Sequence, residues 1–242
     1  KFGSGVLLMS MRSPVSTAHA LATIDLISGG RLVVGVGIGQ ESNLEYDAMG
    51  VRKRDRGRRL DEAIHVMRRL FAEDTITYES EFLKIDGAGI NPKPSHAGIP
   101  IWIGGRTEAA FRRTGFLGDG WLPSQVTPEE AAYGIDRINR FALEAGRQIP
   151  DDHFGVQIGS YIDEAGKIPV DKISEFMPRR RSDVGLSELN LLGSPEMVLD
   201  RMNQYIDAGV TKFVLNPACG FEELPRQLEL QSEILISHFH AK

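Results

Sequence analysis

Short apolar runs without alternation recur along the chain, and longer segments between them carry apolar residues at helical spacing. Such runs suit parallel strands covered on both faces. Phe2 to Leu8 reads as a strand already under way at the first residue. Ser13-Pro14 then marks a helix start, with Ser as cap and Pro in the first turn. Ala18, Leu21, Ala22 and the Leu26-Ile27 pair supply its apolar face, and Gly29-Gly30 ends it. Leu32 to Val36 is the next buried strand. Arg56 to Phe71 follows as a strong helix, with Leu60, Ala63, Ile64, Met67, Leu70 and Phe71 on one side.

Residues 74 to 94 break the alternation, and Thr75 to Tyr78 with Phe82 to Ile85 predict a small hairpin insertion. Ile99 to Ile103 is a buried strand, followed by Gly104-Gly105 and a helix from about Thr107. Gly120 to Pro123 is a short strand. Thr127-Pro128-Glu129-Glu130 has capping-box spacing, and Ile135, Ile138, Phe141 and Ala142 form the stripe behind it. His153 to Ile162 reads as a strand, and 163 to 192 as an insertion near the active-site mouth. Ser194-Pro195-Glu196 starts a helix ended by Gly209. Lys212 to Leu215 is a strand, and a last helix runs from about Glu222 to His238.

About six strands, most followed by a helix, build either an open doubly wound sheet or a closed (β/α)8 TIM barrel. The barrel is the preferred reading. It needs two further strand-helix units, on the order of 60 residues, ahead of Lys1. The chain is taken as one such domain, incomplete at its N-terminus.

Composition narrows the function classes. The 242 residues are 41% hydrophobic and 25% charged, as in a globular domain. A net charge of -5 offers no field for nucleic acid. One cysteine, Cys219, cannot form an internal disulfide, and no apolar run approaches the roughly 20 residues of a membrane helix. A cytoplasmic protein acting on a small molecule, without nucleic-acid or membrane partners, is expected, as is a homodimer.

Gly104-Gly105-Arg106-Thr107-Glu108 lies between a strand and a helix, where free amides and close approach suit an anion. An ordinary left-handed turn with a Thr cap fits the residues about as well. Gly35-Val36-Gly37-Ile38-Gly39 lacks the Rossmann spacing. Gly37 and Gly39 are expected to clear space for a planar ring at the strand's C-terminal end, and Gly35 to allow close strand packing. Trp102 is assigned to the core, and Trp121 to the barrel mouth, in reach of the ring. His238 and His240 have ligand spacing but no third partner, so no metal is expected.

From Ser13 to Gly39 the chain resembles the bacterial luciferase-like superfamily of flavin- and deazaflavin-dependent oxidoreductases. The likeness continues through Glu45 to Gly50, Arg56 to Arg59, Pro92-Lys93-Pro94, Ile99 to Gly105 and Gly118 to Trp121. It returns at Gly193 to Glu196 and at Ala208-Gly209-Val210. The resemblance implies an eight-stranded barrel whose first two units precede this chain. It implies that Gly104, Gly105, Arg106 and Thr107 bind the cofactor's ribityl phosphate. It also implies a non-proline cis peptide at Gly5-Val6, supporting the ring.

Sugar-phosphate dehydrogenases of the superfamily carry a glutamate where Gln40 stands. An amide cannot move protons, which argues against that activity here, and Glu41 is read as a solvated carboxylate. Arg179-Arg180-Arg181 is a minor candidate for holding an anionic cofactor tail. The blocks from Pro178 to Pro217 most resemble members that use coenzyme F420. The implied activity is hydride transfer between the deazaflavin and a small organic substrate. Alternatives are an FMN-dependent monooxygenase, a flavin-binding protein without turnover, and a nicotinamide dehydrogenase binding at Gly35 to Gly39.

Overall fold

A computed structural model describes residues 1–39, 44–96, 98–177 and 181–240, the last by its backbone. The chain groups into two compact units, one of residues 1–122 and 137–150, the other of 123–136 and 151–242. The first unit holds β1 (Phe2–Leu8), α1 (Pro14–Ser28), β2 (Leu32–Gly37), α2 (Leu44–Ala48) and α3 (Arg56–Ala72). The hairpin β3 (Ile76–Glu79) and β4 (Lys84–Ala88) follows, then β5 (Ile101–Ile103), α4 (Glu108–Leu117) and β6 (Gly120–Trp121).

Its main sheet has the order β1-β2-β5-β6, and each neighbouring pair is parallel. Side chains alternate across a strand, so Val34, Val36, Ile101 and Ile103 share the face that packs on α1 and α3. Gly35 lies opposite Trp102 in register, on the other face. The β3–β4 hairpin is antiparallel and contributes Ile76 and Ile85 to the same core, as its apolar positions predict.

Pro14 stands in the first turn of α1 and Gly29 is left-handed at φ 66° as read, but the Ser13 side chain makes no capping hydrogen bond. The buried face of α1 also differs from the expectation. Leu26 and Ile27 are 44% and 83% exposed, whereas Asp25 is buried. Ala18, Leu21, Ala22 and Asp25 lie at steps of three and four, which is one helical face. Asp25 tolerates burial because its carboxylate accepts from the Ser95 amide at 2.9 Å and hydroxyl at 2.5 Å. At the start of α3, burial pushes the Asp55 carboxyl up, but hydrogen bonds from Arg58 and Arg52 outweigh it and hold it below its ordinary value.

Helix α5 (Pro128–Glu144) contributes residues to both units. The second unit continues with β7 (Gly155–Ile162), α6 (Val170–Phe176), β8 (Leu191–Gly193), α7 (Pro195–Asp207) and β9 (Lys212–Pro217). The closing helix α8 (Leu224–Gln231) passes through a π-helical turn at Ser232–Ile236 into α9 (Ser237–His240). The sheet order is β8-β7-β9, again parallel.

Strand β8 corrects the predicted insertion, which ends before Leu191 rather than at 192. Three residues are too few to show a pattern. Their pairing with Ser160, Tyr161 and Ile162 is what makes them a strand. Among the described residues no helix is long and apolar enough to cross a membrane.

Candidate functional site

In the first unit the C-terminal ends of four parallel strands are level. Leu8 pairs with Gly37, Val36 with Ile103, and Ile103 with Trp121. The Gly104 amide donates to Val36 O at 2.8 Å and the Leu122 amide to Ile103 O at 2.9 Å. Ligands of parallel α/β folds bind at this end of the strands, where Gly37, Gly39 and the turn from Gly104 to Thr107 lie, while Gly5 and Val6 sit within β1.

The Gly5–Val6 peptide is cis, and β1–β2 pairing shifts register between Ser4 and Leu7. The half-buried Val6 side chain then occupies space left by three glycines. A Cβ on Gly37 would lie 2.8 Å from Val6 Cγ2, and one on Gly104 3.3 Å from Cγ1. One on Gly35 would lie 3.1 Å from Cγ1 and 2.1 Å from Ser4 O. Gly35 is therefore needed for close strand packing, as read.

Gly37 does not leave open room for a ring, because Val6 fills it. Gly39, left-handed at φ 78°, is likewise backed by protein. Its Cβ would come within 3.1 Å of Tyr46 Oη and 3.2 Å of Leu8 Cδ1. Tyr46 is buried on α2, donates to Ile38 O and lies 3.4 Å from Ser10 Oγ. It fixes the exit of β2, a role that sequence reading missed. Its only signal there was an aromatic residue among the polar positions of Glu45 to Gly50.

The turn after β5 carries the most distinctive chemistry. Gly105 has φ 107°, a conformation that favours glycine. Gly105, Arg106, Thr107, Glu108 and Ala109 are all exposed. None of their amides donates to an acceptor among the described residues. The intrahelical ladder begins only at Ala110 and Phe111, which donate to Thr107 O at 2.8 and 2.9 Å. The Thr107 hydroxyl caps weakly, accepting from Ala110 N at 3.4 Å.

Five successive free amides at a helix start are donors of the kind that can hold an anion. The one acidic side chain of that first turn, Glu108, is engaged by Arg137 Nε at 3.0 Å. Arg106 is exposed and has no ion pair among the described residues. It is available to add charge at this turn.

Trp102 is buried as expected, whereas Trp121 departs from its expected place at the barrel mouth. Trp121 is fully buried because register with Ile103 puts it on the helix-covered face. It meets Phe111 of α4 edge-on at 5.6 Å, and its indole N–H donates to Gly105 O at 2.8 Å. Trp102 shares the face of Gly35 and keeps 6% exposure. A two-residue strand offers no alternation from which to read this.

In the second unit Arg181 is committed to protein. It donates to Glu130 at 2.6 Å, Asp183 at 2.6 Å and Gln125 O at 3.1 Å, and its side chain is 9% exposed. Those partners raise its pKa, Asp183 first and Glu130 next, against an opposing effect of burial. Arg181 is thus a structural cation, not a tether for a cofactor tail. Arg179, Arg180, Gln40 and Glu41 lie outside the described residues. Burial raises the Cys219 thiol pKa, and His238 packs edge-on against Phe239 at 4.8 Å. Among the described residues no group of three or more His, Cys, Asp or Glu side chains is placed to hold a metal. A cavity of about 300 Å³ in the first unit is lined by Met9, Met11, Met49, Arg59 and Phe82 among others, and by none of the predicted site residues.

Residues 1–167 match the family described as luciferase-like monooxygenase. The chain is 33% identical over 150 residues to an uncharacterized protein of Mycobacterium tuberculosis, covering 62% of this chain and 51% of that one. It is 32% identical over 147 residues to the 5,10-methylenetetrahydromethanopterin reductase of Archaeoglobus fulgidus, covering 61% and 43%. The chain spans about half the length of the curated relatives it matches.

Among solved structures, monooxygenase RslO1 from Streptomyces bottropensis superposes with a TM-score of 0.81 at 23% identity, covering 98% of this chain and 78% of that one. An F420-dependent secondary alcohol dehydrogenase, solved with an F420-acetone adduct, gives 0.82 at 20%, covering 96% and 78%. The oxygenating constituent of 3,6-diketocamphane monooxygenase from Pseudomonas putida, in complex with FMN, gives 0.74 at 16%, covering 97% and 78%. At these identities the likeness establishes the fold.

Proposed function

The chain belongs to the luciferase-like monooxygenase family, with an α/β fold of the (β/α)8-barrel type, and we propose that it is an oxidoreductase using coenzyme F420. The observation that carries this reading is the run of free amides from Gly105 to Ala109. An anionic phosphate satisfies several of them at once. It gains about 0.3–2 kcal/mol from the helix end alone.

In this reading Gly104, Gly105, Arg106 and Thr107 hold the cofactor phosphate through backbone amides and the Arg106 guanidinium. Val6, seated by Gly37 and Gly104, supports the flat ring with Gly5, and Gly39 shapes the adjoining strand exit. When bound, the deazaflavin supplies a two-electron hydride carrier. The protein's own part is to bind the phosphate, support the ring and orient a small organic substrate. An F420-dependent secondary alcohol dehydrogenase and a coenzyme F420-dependent tetrahydromethanopterin reductase among the structural neighbours support the deazaflavin reading.

FMN is the second reading, since its phosphate suits the same cradle and one neighbour holds it. That cofactor would make the protein a monooxygenase. The deciding experiment is equilibrium titration with F420 and with FMN, followed by fluorescence. Micromolar binding of F420 with much weaker FMN is expected. The reverse order establishes the FMN reading, and a folded protein that binds neither refutes both. Substrate-dependent oxidation of the bound, reduced cofactor then separates an enzyme from a flavin-binding protein without turnover.

A further inference from the structure

We propose that Trp121 is a positioning residue for the anion cradle, acting through the Gly105 carbonyl to aim the amides that follow it. The inference rests on the phosphate role given to residues 104–107. Trp121 is fully buried and touches no ligand.

The argument begins with the peptide unit. In a trans peptide the carbonyl and the next residue's N–H point in opposite directions. Trp121 Nε1 takes the Gly105 oxygen at 2.8 Å, drawing that carbonyl towards the buried side of the turn. The Arg106 amide is thereby turned to the outer side, where it makes no bond within the protein.

Gly105 needs such a restraint more than most residues. It adopts φ 107°, and glycine's broad conformational freedom would otherwise let this peptide plane rotate. The indole also packs edge-on against Phe111 at 5.6 Å. One side chain therefore fixes both the turn and the first coil of α4 that supplies the remaining amides. An anion gains most from donors that are aimed before it arrives, since no reorganisation is then spent on binding.

The test compares FMN with riboflavin, which differ only in phosphate, and F420 with its ribityl deazaflavin core, which lacks both the phosphate and the anionic tail. Wild-type protein and the Trp121→Phe variant are titrated with each. Phenylalanine keeps an aromatic contact with Phe111 and removes the N–H. The affinity advantage that phosphate confers is expected to fall about three- to tenfold, the scale of one neutral hydrogen bond. Affinity for the phosphate-free partners should stay within about twofold.

An unchanged phosphate advantage overturns the proposal. Equal loss for both members of a pair also overturns it, because that is the signature of a general structural role. If wild-type protein shows no phosphate advantage for either pair, the assigned phosphate site fails and the positioning role falls with it. Should Trp121→Phe not fold, benzothienylalanine at position 121 keeps the bicyclic shape without the N–H, and the same comparison decides.

Discussion

Two helix starts in this protein carry the same local signature and end in opposite states. Both α4 and α5 are preceded by threonine, Thr107 and Thr127. At Thr127 the cap is reciprocal and tied into neighbouring side chains. Its amide donates to Glu130 Oε2 at 2.9 Å, and the Glu130 amide returns a bond to its hydroxyl at 3.3 Å. Arg181 holds the same carboxylate and Gln125 O, and the buried Tyr205 hydroxyl donates to Val126 O at 2.6 Å. At Thr107 the cap is a single bond of 3.4 Å that the Ala110 side chain cannot return, and five amides remain open to solvent. The difference teaches that a cap motif marks where a helix begins, while its surroundings decide whether the end is closed or left to bind.

The largest effect on this contrast should come from Gly105→Ala. A Cβ there would meet Ala110 Cβ at 3.1 Å in a backbone conformation of φ 107°. The expected cost is about 1–3 kcal/mol of stability, with at least tenfold weaker binding of phosphate-bearing cofactor. Urea unfolding and the same titrations check both, and wild-type affinity in the variant would refute the cradle.

Tyr205→Phe should act on the closed end alone. It strips Val126 O of its donor in a buried place and should destabilise by about 1–3 kcal/mol. The preference for FMN over riboflavin should survive, and its collapse would show that the two ends are not separable.

The smallest effects sharpen the comparison most. Thr127→Ala is expected to cost about 1 kcal/mol and leave ligand binding alone. Thr107→Ala should cost less than that, because its cap bond stands alone without a reciprocal partner, while measurably weakening phosphate-bearing ligands. Thermal unfolding with and without FMN reads both quantities, and equal behaviour of the two variants would remove the distinction.

Much of this was legible from residues alone. Helix starts at Ser13-Pro14, Thr127-Pro128 and Ser194-Pro195, the end at Gly29, and the buried stripe of α3 all follow from periodicity and capping. Each of these signals links residues at most four positions apart, so the chain's own order contains them. The strand-turn-helix at Gly104 to Thr107 was visible for the same reason, with anion site and ordinary turn level on the residues alone and the family resemblance favouring the anion.

Partners far apart in the chain were not legible. Asp25 is buried because Ser95, 70 residues on, satisfies its carboxylate. Trp121 turns to the helix side by register with Ile103 and finds Gly105, 16 residues back. Tyr205 closes a loop 79 residues away, and β8 is a strand only through β7. Val6 fills the space of Gly37 because three strand ends converge there. Local pattern determines which elements form, since dihedral preference and hydrophobic period act within a turn or two. Only packing decides which polar groups find partners and which stay open for a ligand, since it brings together groups that the chain keeps apart.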